Sequence, residues 1–373
     1  MDIATPCYLF DLDRLSKNLE KVLFLRQQTG CKVLLALKGF SSVGIIPNIL
    51  KYIDGLSASG AYEAQLGKEF KTTVSTYAPA YPTESFSVVT KNSDIIVFNS
   101  EKQYRDLSIA AHESGVSCGI RINPDYSELP ESFGANPCRK YSHLGISKTQ
   151  MPALELFGNH KIEGIHLHTM CGQNSDTLSR TISHIIDKYD LYLKQVNWIN
   201  LGGGQLYGAD EYNINLAVES INTLKNRYQC QVFIEPCEGL LTQCSYLATQ
   251  VLDIVHNEVD IAILDSSAIC HLSDAVYRGW ERDIVGAGSH GDFAYNYRIA
   301  GCSCYAGDIF GDYSFKSPLH PGDKVFFQDA GIYSLVKACM FNGIPFPKTA
   351  TFSKKDGFRL LSECTYQLFR QTL

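Results

Sequence analysis

Lys38 closes the apolar run Val33-Leu34-Leu35-Ala36-Leu37 and is followed by Gly39 and the small-residue turn Ser41-Ser42. Five apolar residues in succession predict a strand buried on both faces, with an ammonium where the chain leaves the core. A buried charge is costly unless it is paired or discharged, so this amine needs a partner or a reaction. A lysine whose pKa shifts on burial is the usual anchor of a Schiff base. Taken alone, a strand-end lysine reaching into solvent is the commoner case, and the company it keeps decides. Glu235 follows the strand candidate 231–234, Gly202-Gly203-Gly204 follows 196–201, His166 and His168 lie at the end of 162–167, and Arg121 and Asn123 at the end of 117–122. Three glycines let a phosphate approach backbone N–H groups. Amine, phosphate cradle, imidazole and carboxylate together fit pyridoxal 5′-phosphate. Lys38 would form the imine, the glycines hold the phosphate, His168 stack on the ring, and Glu235 keep the pyridine nitrogen protonated, so that the ring draws electrons from a substrate Cα.

These residues must be brought together by a scaffold. Eight strand candidates occur at 33–37, 55–58, 73–77, 94–98, 117–122, 162–167, 196–201 and 231–234, with helical patterning between them at 101–113, 175–194 and 214–227. Parallel strands need crossover helices, and closure removes the sheet edges, so eight such units predict a (β/α)₈ barrel with its chemistry on the C-terminal face. Ahead of them, 5–10 reads as a strand. Asp11 or Asp13 then caps a helix carrying Leu12, Leu15, Leu19, Val22 and Leu23, with Gly30 as its stop. After about residue 245 the texture changes to short β-forming runs at 246–255, 260–264, 294–300, 324–328 and 358–362, separated by Gly, Pro and Asp turns. The expected organisation is a barrel of residues 25–245 and a mostly antiparallel β domain of 1–24 and 246–373, which the N-terminal strand joins.

Composition narrows the function classes. The chain has 373 residues, 45% of them hydrophobic and 19% charged, which is a globular balance. The net charge of −6 and the lack of long basic runs argue against nucleic acid. No 18-residue apolar run and no basic-then-apolar leader is seen, so neither a membrane span nor a signal peptide is expected, and the expected location is cytoplasmic. Thirteen cysteines without a CxxC pair agree with a reducing compartment and give no metal site.

At these residues the chain resembles the fold-type-III pyridoxal-phosphate decarboxylases, which include ornithine and diaminopimelate decarboxylases. The resemblance is carried by Leu35-Ala36-Leu37-Lys38, Ser57-Ala58-Ser59-Gly60 with Glu63, Arg121-Ile122-Asn123-Pro124, His168, Gly202-Gly203-Gly204, Glu235-Pro236, Gly301 to Asp308 and Asp329-Ala330-Gly331-Ile332-Tyr333. Within the family it is most similar to the group acting on carboxynorspermidine, through Asn136-Pro137, Ser142 to Gly145, Asp265-Ser266 with His271 and Asp274, and Phe341-Asn342-Gly343.

The resemblance implies a homodimer with shared active sites that decarboxylates an L-amino acid with a basic or polyamine tail, carboxynorspermidine or carboxyspermidine first among them. It implies Lys38, His168, Glu235, Gly203, Gly204 and Tyr333 around the cofactor, with Arg121 and Cys171 beside them. Cys304 would return a proton to Cα from the neighbouring subunit, and Asp274, Asp308 and His271 would meet the substrate's tail. The chain departs from the family at Cys237, where glycine commonly follows Glu-Pro, at Cys171, which replaces a small polar phosphate contact, and at Ser267 to Cys270, where an acid is usual. A decarboxylase of the same fold with another substrate, a racemase, and a barrel that binds without turnover are the alternatives. Lys38, Glu235 and Cys304 occurring together weigh against the last.

Overall fold

The computed structural model describes residues 3–373. The expected N-terminal segment 1–24 starts at Met1 and Asp2, which lie outside them. The chain divides into two compact units, residues 17–240 and the segment ending at Ser16 together with Leu241–Leu373. Strand β1 (Cys7–Asp11) opens the chain, and helix Leu12–Thr29 follows directly. Asp11 caps that helix, its Oδ1 accepting the N–H groups of Asp13 at 2.9 Å and Arg14 at 3.0 Å.

The larger unit is a closed parallel barrel of eight strands: β2 (Lys32–Ala36), β3 (Gly55–Ala58), β4 (Thr73–Tyr77), β5 (Ile95–Phe98), β6 (Ser117–Arg121), β7 (Gly164–His166), β8 (Trp198–Asn200) and β9 (Gln231–Ile234). Each pairs with the next, and Lys32 and Val33 of β2 lie opposite Phe233 and Ile234 of β9 to close it. Residues 33–36, 55–58 and 95–98 are buried throughout, as strands covered on both faces must be. Helices 61–69, 83–91, 101–113, 175–193 and 214–228 supply most crossovers. The connection from β6 to β7 is different. It carries only two 3₁₀ turns among the described residues, because Pro124, Pro130, Pro137, Gly134 and Gly145 interrupt any helical run there. The expected alternation of eight strand–helix units is therefore looser at that point.

Inside the barrel, Leu34, Ile95, Val97, Trp198 and Phe233 pack as one cluster. Trp198 lies edge-on to Phe233 at 6.1 Å and donates its indole N–H to Ser117 Oγ at 2.9 Å. The ring fits because β6 and β7 offer it glycines. A Cβ on Gly164 would fall 2.0 Å from the indole, and one on Gly119 would fall 2.3 Å from it. At the N-terminal end of the barrel, Asp54 accepts the N–H of Val33 at 3.0 Å and Asp94 that of Val74 at 2.8 Å. Acids at this end tie strands together and leave the other end for chemistry.

The smaller unit is a nine-stranded sheet built from β1, β10 (Ser245–Asn257), β11 (Val259–Leu264), β12 (Gly288–Ser289), β13 (Tyr295–Ala300), β14 (Ile309–Phe315), β15 (Lys324–Gln328), β16 (Lys348–Ser353) and β17 (Gly357–Ser362). Its path runs β12-β14-β13-β11-β10-β1-β16-β17, with β15 also on β10. Most pairs are antiparallel; β1–β16 and β11–β13 are parallel. As expected, β1 joins this sheet, and Ile3, Cys7, Leu9, Ala248 and Ala350 form a core around it. Strands β14 and β16 escape the sequence reading, the first because Gly311 and Asp312 interrupt its pattern, the second because Lys348-Thr349-Ala350-Thr351 carries little hydrophobic signal.

The Trp198 contact is testable. Gly164→Ala overpacks the barrel, and denaturant unfolding should show a loss of about 1–3 kcal/mol, whereas the same change at Gly60, which has open space around it, should be near neutral.

Candidate active site

The rim at the C-terminal ends of the barrel strands gathers Lys38, Arg121, His166 and Glu235, which the sequence singled out, with two residues that it did not. Tyr77, Arg121, His166 and Asn200 are the last residues of β4, β6, β7 and β8, while Lys38 and Glu235 lie just past β2 and β9. Register places Arg121 opposite His166, and His166 opposite Asn200.

Lys38 is exposed, and its amine has no hydrogen-bond or ion-pair partner among the described residues. Its pKa is nevertheless lowered, first by the surrounding barrel wall and then by the charge of Arg121, against the pull of Glu235, Cys237 and Glu63. The amine stands on the rim where its charged form is disfavoured. That is the condition for a nucleophilic lysine.

Glu235 faces the opposite tendency. Burial alone would raise its carboxyl, but His166, Asn200 and Lys38 hold it well below the usual carboxylate range. Asn200 Nδ2 donates to Oε1 at 2.7 Å, and His166 Nε2 lies 3.7 Å from Oε2. Asn200 also accepts the N–H of Gly202 at 2.9 Å, and Glu235 donates its own N–H to the carbonyl of Gly202 at 2.7 Å. One turn thus fixes the ends of two strands. Arg121 is 3% exposed, its guanidinium 4.6 Å over the Tyr77 ring, and its Nε has no partner among the described residues.

The three glycines have distinct duties. Gly202 and Gly204 take φ of +66° and +94°, and a Cβ on Gly204 would fall 2.0 Å from the carbonyl oxygen of Met170. Gly202 N–H is taken by Asn200, and Gly203 N–H donates to His168 Nδ1 at 3.2 Å. Of this triplet, only the N–H of Gly204 has no hydrogen-bond partner among the described residues, so it is the N–H of the three open to an anion. The bond from Gly203 also sets the tautomer of His168, leaving its proton on Nε2, and burial holds this imidazole well below its ordinary pKa. Cys171 lies in the same loop and is partly buried. Cys237, 4% exposed, is pushed far up by burial and stays a neutral thiol.

In the sheet unit the remaining expected residues fall into two kinds. Cys304 is exposed, with its N–H on Asn342 Oδ1 at 2.8 Å. Tyr333 is partly buried at φ +59°, with Lys337 Nζ 5.3 Å over its ring. The three residues expected at a substrate tail each make contacts within their own unit. Asp308 is 2% exposed and accepts from Ser267 Oγ, Ile269 N–H and Ser303 N–H at 3.0–3.2 Å, so it braces the 301–308 turn. Asp274 accepts Lys337 Nζ at 2.9 and 3.0 Å and lies 3.5 Å from Arg278, which neutralise it. His271 is fully buried, its ring held between Ser267 N–H and the carbonyl of Pro345, and its pKa is lowered to about 4 by that burial. Tyr77 and Asn200 were missed in the sequence. Both end a barrel strand, and that position was the signal available.

An aldehyde-bearing pyridine phosphate fits this rim: an open amine of lowered pKa, an ionised carboxylate, a free glycine N–H and a buried guanidinium nitrogen without a partner. A barrel and sheet with such a rim define a pyridoxal-phosphate enzyme. Residues 7–331 match the family model described as pyridoxal-dependent decarboxylase, C-terminal sheet domain. The chain is 32% identical to the carboxynorspermidine/carboxyspermidine decarboxylase of Campylobacter jejuni, over 98% of this chain and 97% of that protein. It is also 32% identical to the carboxyaminopropylagmatine decarboxylase of Synechocystis, over 100% and 96%. The crystal structure of Campylobacter jejuni carboxynorspermidine decarboxylase complexed with norspermidine superposes with a TM-score of 0.90 at 30% identity, covering all of both chains. The chain belongs to the pyridoxal-dependent decarboxylases, and pyridoxal phosphate is its cofactor. No helix among the described residues is long and apolar enough to cross a membrane.

The charges around Lys38 set a pH dependence with a definite sign. Capture of pyridoxal phosphate by the apoprotein, followed by its absorbance, needs the neutral amine and should rise with pH to a plateau with a midpoint below 10.5. Glu235→Gln removes a charge that raises the Lys38 pKa and should move the midpoint lower; Arg121→Gln should move it higher.

Proposed function

We propose that this protein removes the α-carboxylate of carboxynorspermidine or carboxyspermidine. The observation that carries the reading is the unpartnered Lys38 amine beside an ionised Glu235, within a chain that matches a norspermidine-complexed decarboxylase over its whole length. When bound, pyridoxal phosphate accepts the electrons released as the carboxylate leaves. Lys38 is the amine that would hold it. Glu235 would pair with the pyridine nitrogen, His168 would support the ring, and Gly204 with Gly203, Arg121, Cys171 and Tyr333 would secure the phosphate. Cys304 gives its thiol proton to Cα once CO₂ has gone. Its exposure is consistent with service to a neighbouring subunit, so the working form is a homodimer with shared sites.

A second reading has its own support. Asp308 and His271 are buried, Asp274 is paired with Lys337, and Ser267 to Cys270 carry no charge, so the acids expected at a polyamine tail are spoken for. The equal identity to a protein acting on a carboxyaminopropylagmatine fits a shifted tail preference.

The test is CO₂ release by the cofactor-loaded protein from carboxynorspermidine, carboxyspermidine, carboxyaminopropylagmatine, ornithine, lysine, arginine and meso-diaminopimelate. Preference for the first two supports the main reading. Preference for the third, or silence across the panel with the cofactor band present, replaces it with the second. Lys38→Ala should abolish that band. Cys304→Ala should keep the band and slow turnover by about 100-fold or more, the scale of a lost general acid.

A further inference from the structure

Glu235 is gripped from two neighbouring strands. Asn200 closes a hydrogen bond of 2.7 Å on Oε1, while His166 Nε2 stands 3.7 Å from Oε2, a separation longer than a formed hydrogen bond. His166 is 2% exposed, and its Nδ1 has no partner among the described residues. An unmet lone pair costs less than an unmet N–H, so the ring proton belongs on Nε2, facing the carboxylate. The ring is held in that aim. It stacks on Tyr77 at 5.4 Å and 27°, and Tyr77 is fixed by the Arg121 guanidinium over its ring and by its hydroxyl on Asn99 Oδ1 at 2.7 Å. A mere filler for this interior layer would be apolar; an imidazole with a stranded nitrogen is a costly filler.

We propose that His166 is a positioning residue for the decarboxylation, presenting a neutral N–H to the Glu235 oxygen that Asn200 does not hold, and so fixing both the aim and the charge of that carboxylate. The proposal rests on Glu235 being the partner of the pyridine nitrogen. The charged groups around the imidazole agree with a neutral donor. Burial holds its pKa below the ordinary value, Arg121 at the end of β6 and Lys38 past β2 push the same way, and Glu235 past β9 pulls against them. Tyr77 from β4 and the neutral His168 add no charge. A donor that does not take the carboxylate's proton leaves Glu235 ionised.

Two variants separate this role from packing. His166→Phe keeps the ring and its stack on Tyr77 but removes the donor; His166→Gln gives up the ring and restores an N–H. With the pyridoxal-phosphate-loaded protein, His166→Phe should lower kcat by about 10- to 100-fold, the scale of lost outer support at a site, with KM nearly unchanged. It should also speed cofactor dissociation and shift the pH titration of the visible cofactor band, while His166→Gln should recover most of all three. If Phe is tolerated and Gln is not, His166 is packing and the proposal falls. If the Phe variant does not fold, His166→Leu against His166→Gln makes the same comparison at similar side-chain size, and equal loss in both overturns the proposal. Glu235→Gln is the control. An unchanged band and dissociation rate there would overturn the pyridine-nitrogen reading itself, whereas changes there but not in His166→Phe would overturn the role of His166 alone.

Discussion

Closure of the barrel is the constraint from which the site follows. Lys38 and Glu235 come from opposite ends of the barrel's sequence and meet only because β2 pairs with β9, Lys32 opposite Phe233 and Val33 opposite Ile234. Once that seam forms, the strand ends make a ring of fixed spacing, and side chains one or two residues past a strand need no further instruction to converge. The opposed shifts of the two groups follow from the same enclosure. A wall that disfavours charge lowers the lysine, while the carboxylate keeps its charge because Asn200 and His166 supply what water would have supplied.

The glycine turn after β8 is part of this frame before it is part of any ligand site. Gly202, Gly203 and Gly204 each lie against backbone or a histidine ring too closely for a Cβ, and two of the three N–H groups are used to hold Asn200 and His168. Among the described residues only what remains of the triplet, the N–H of Gly204, is left for an anion. A glycine triplet read from sequence as a phosphate cradle is mostly a device for packing three loops together.

The legible part of the molecule is the part whose signal is local. Barrel strands read as short β-forming runs bounded by loops and helical stretches, and three of them, 55–58, 73–77 and 231–234, are found at the expected bounds. Helix 12–29 was marked by Asp11, and the rim residues by their places after strands. What stayed hidden depends on partners distant in sequence. Nothing near Asp274 announces Lys337, and nothing near Asp308 announces that three donors enclose it. Strand β16 is a strand because β1 and β17 flank it, not because its own residues demand it. His166 and His168 share a parity, yet one packs into the barrel beside Glu235 while the other is tied to Gly203 past the strand end.

The turn from Gly301 to Asp308 has a consequence for how tightly anything can be held near Cys304. Asp308 gathers Ser267, Ile269 and Ser303 around one buried carboxylate, and Gly301 lies so close that a Cβ there would fall 2.3 Å from it. The disorder of that loop is therefore surrendered when the chain folds, not when a ligand arrives. A guest meeting this turn finds it already rigid, and the association free energy is not diminished by having to freeze it.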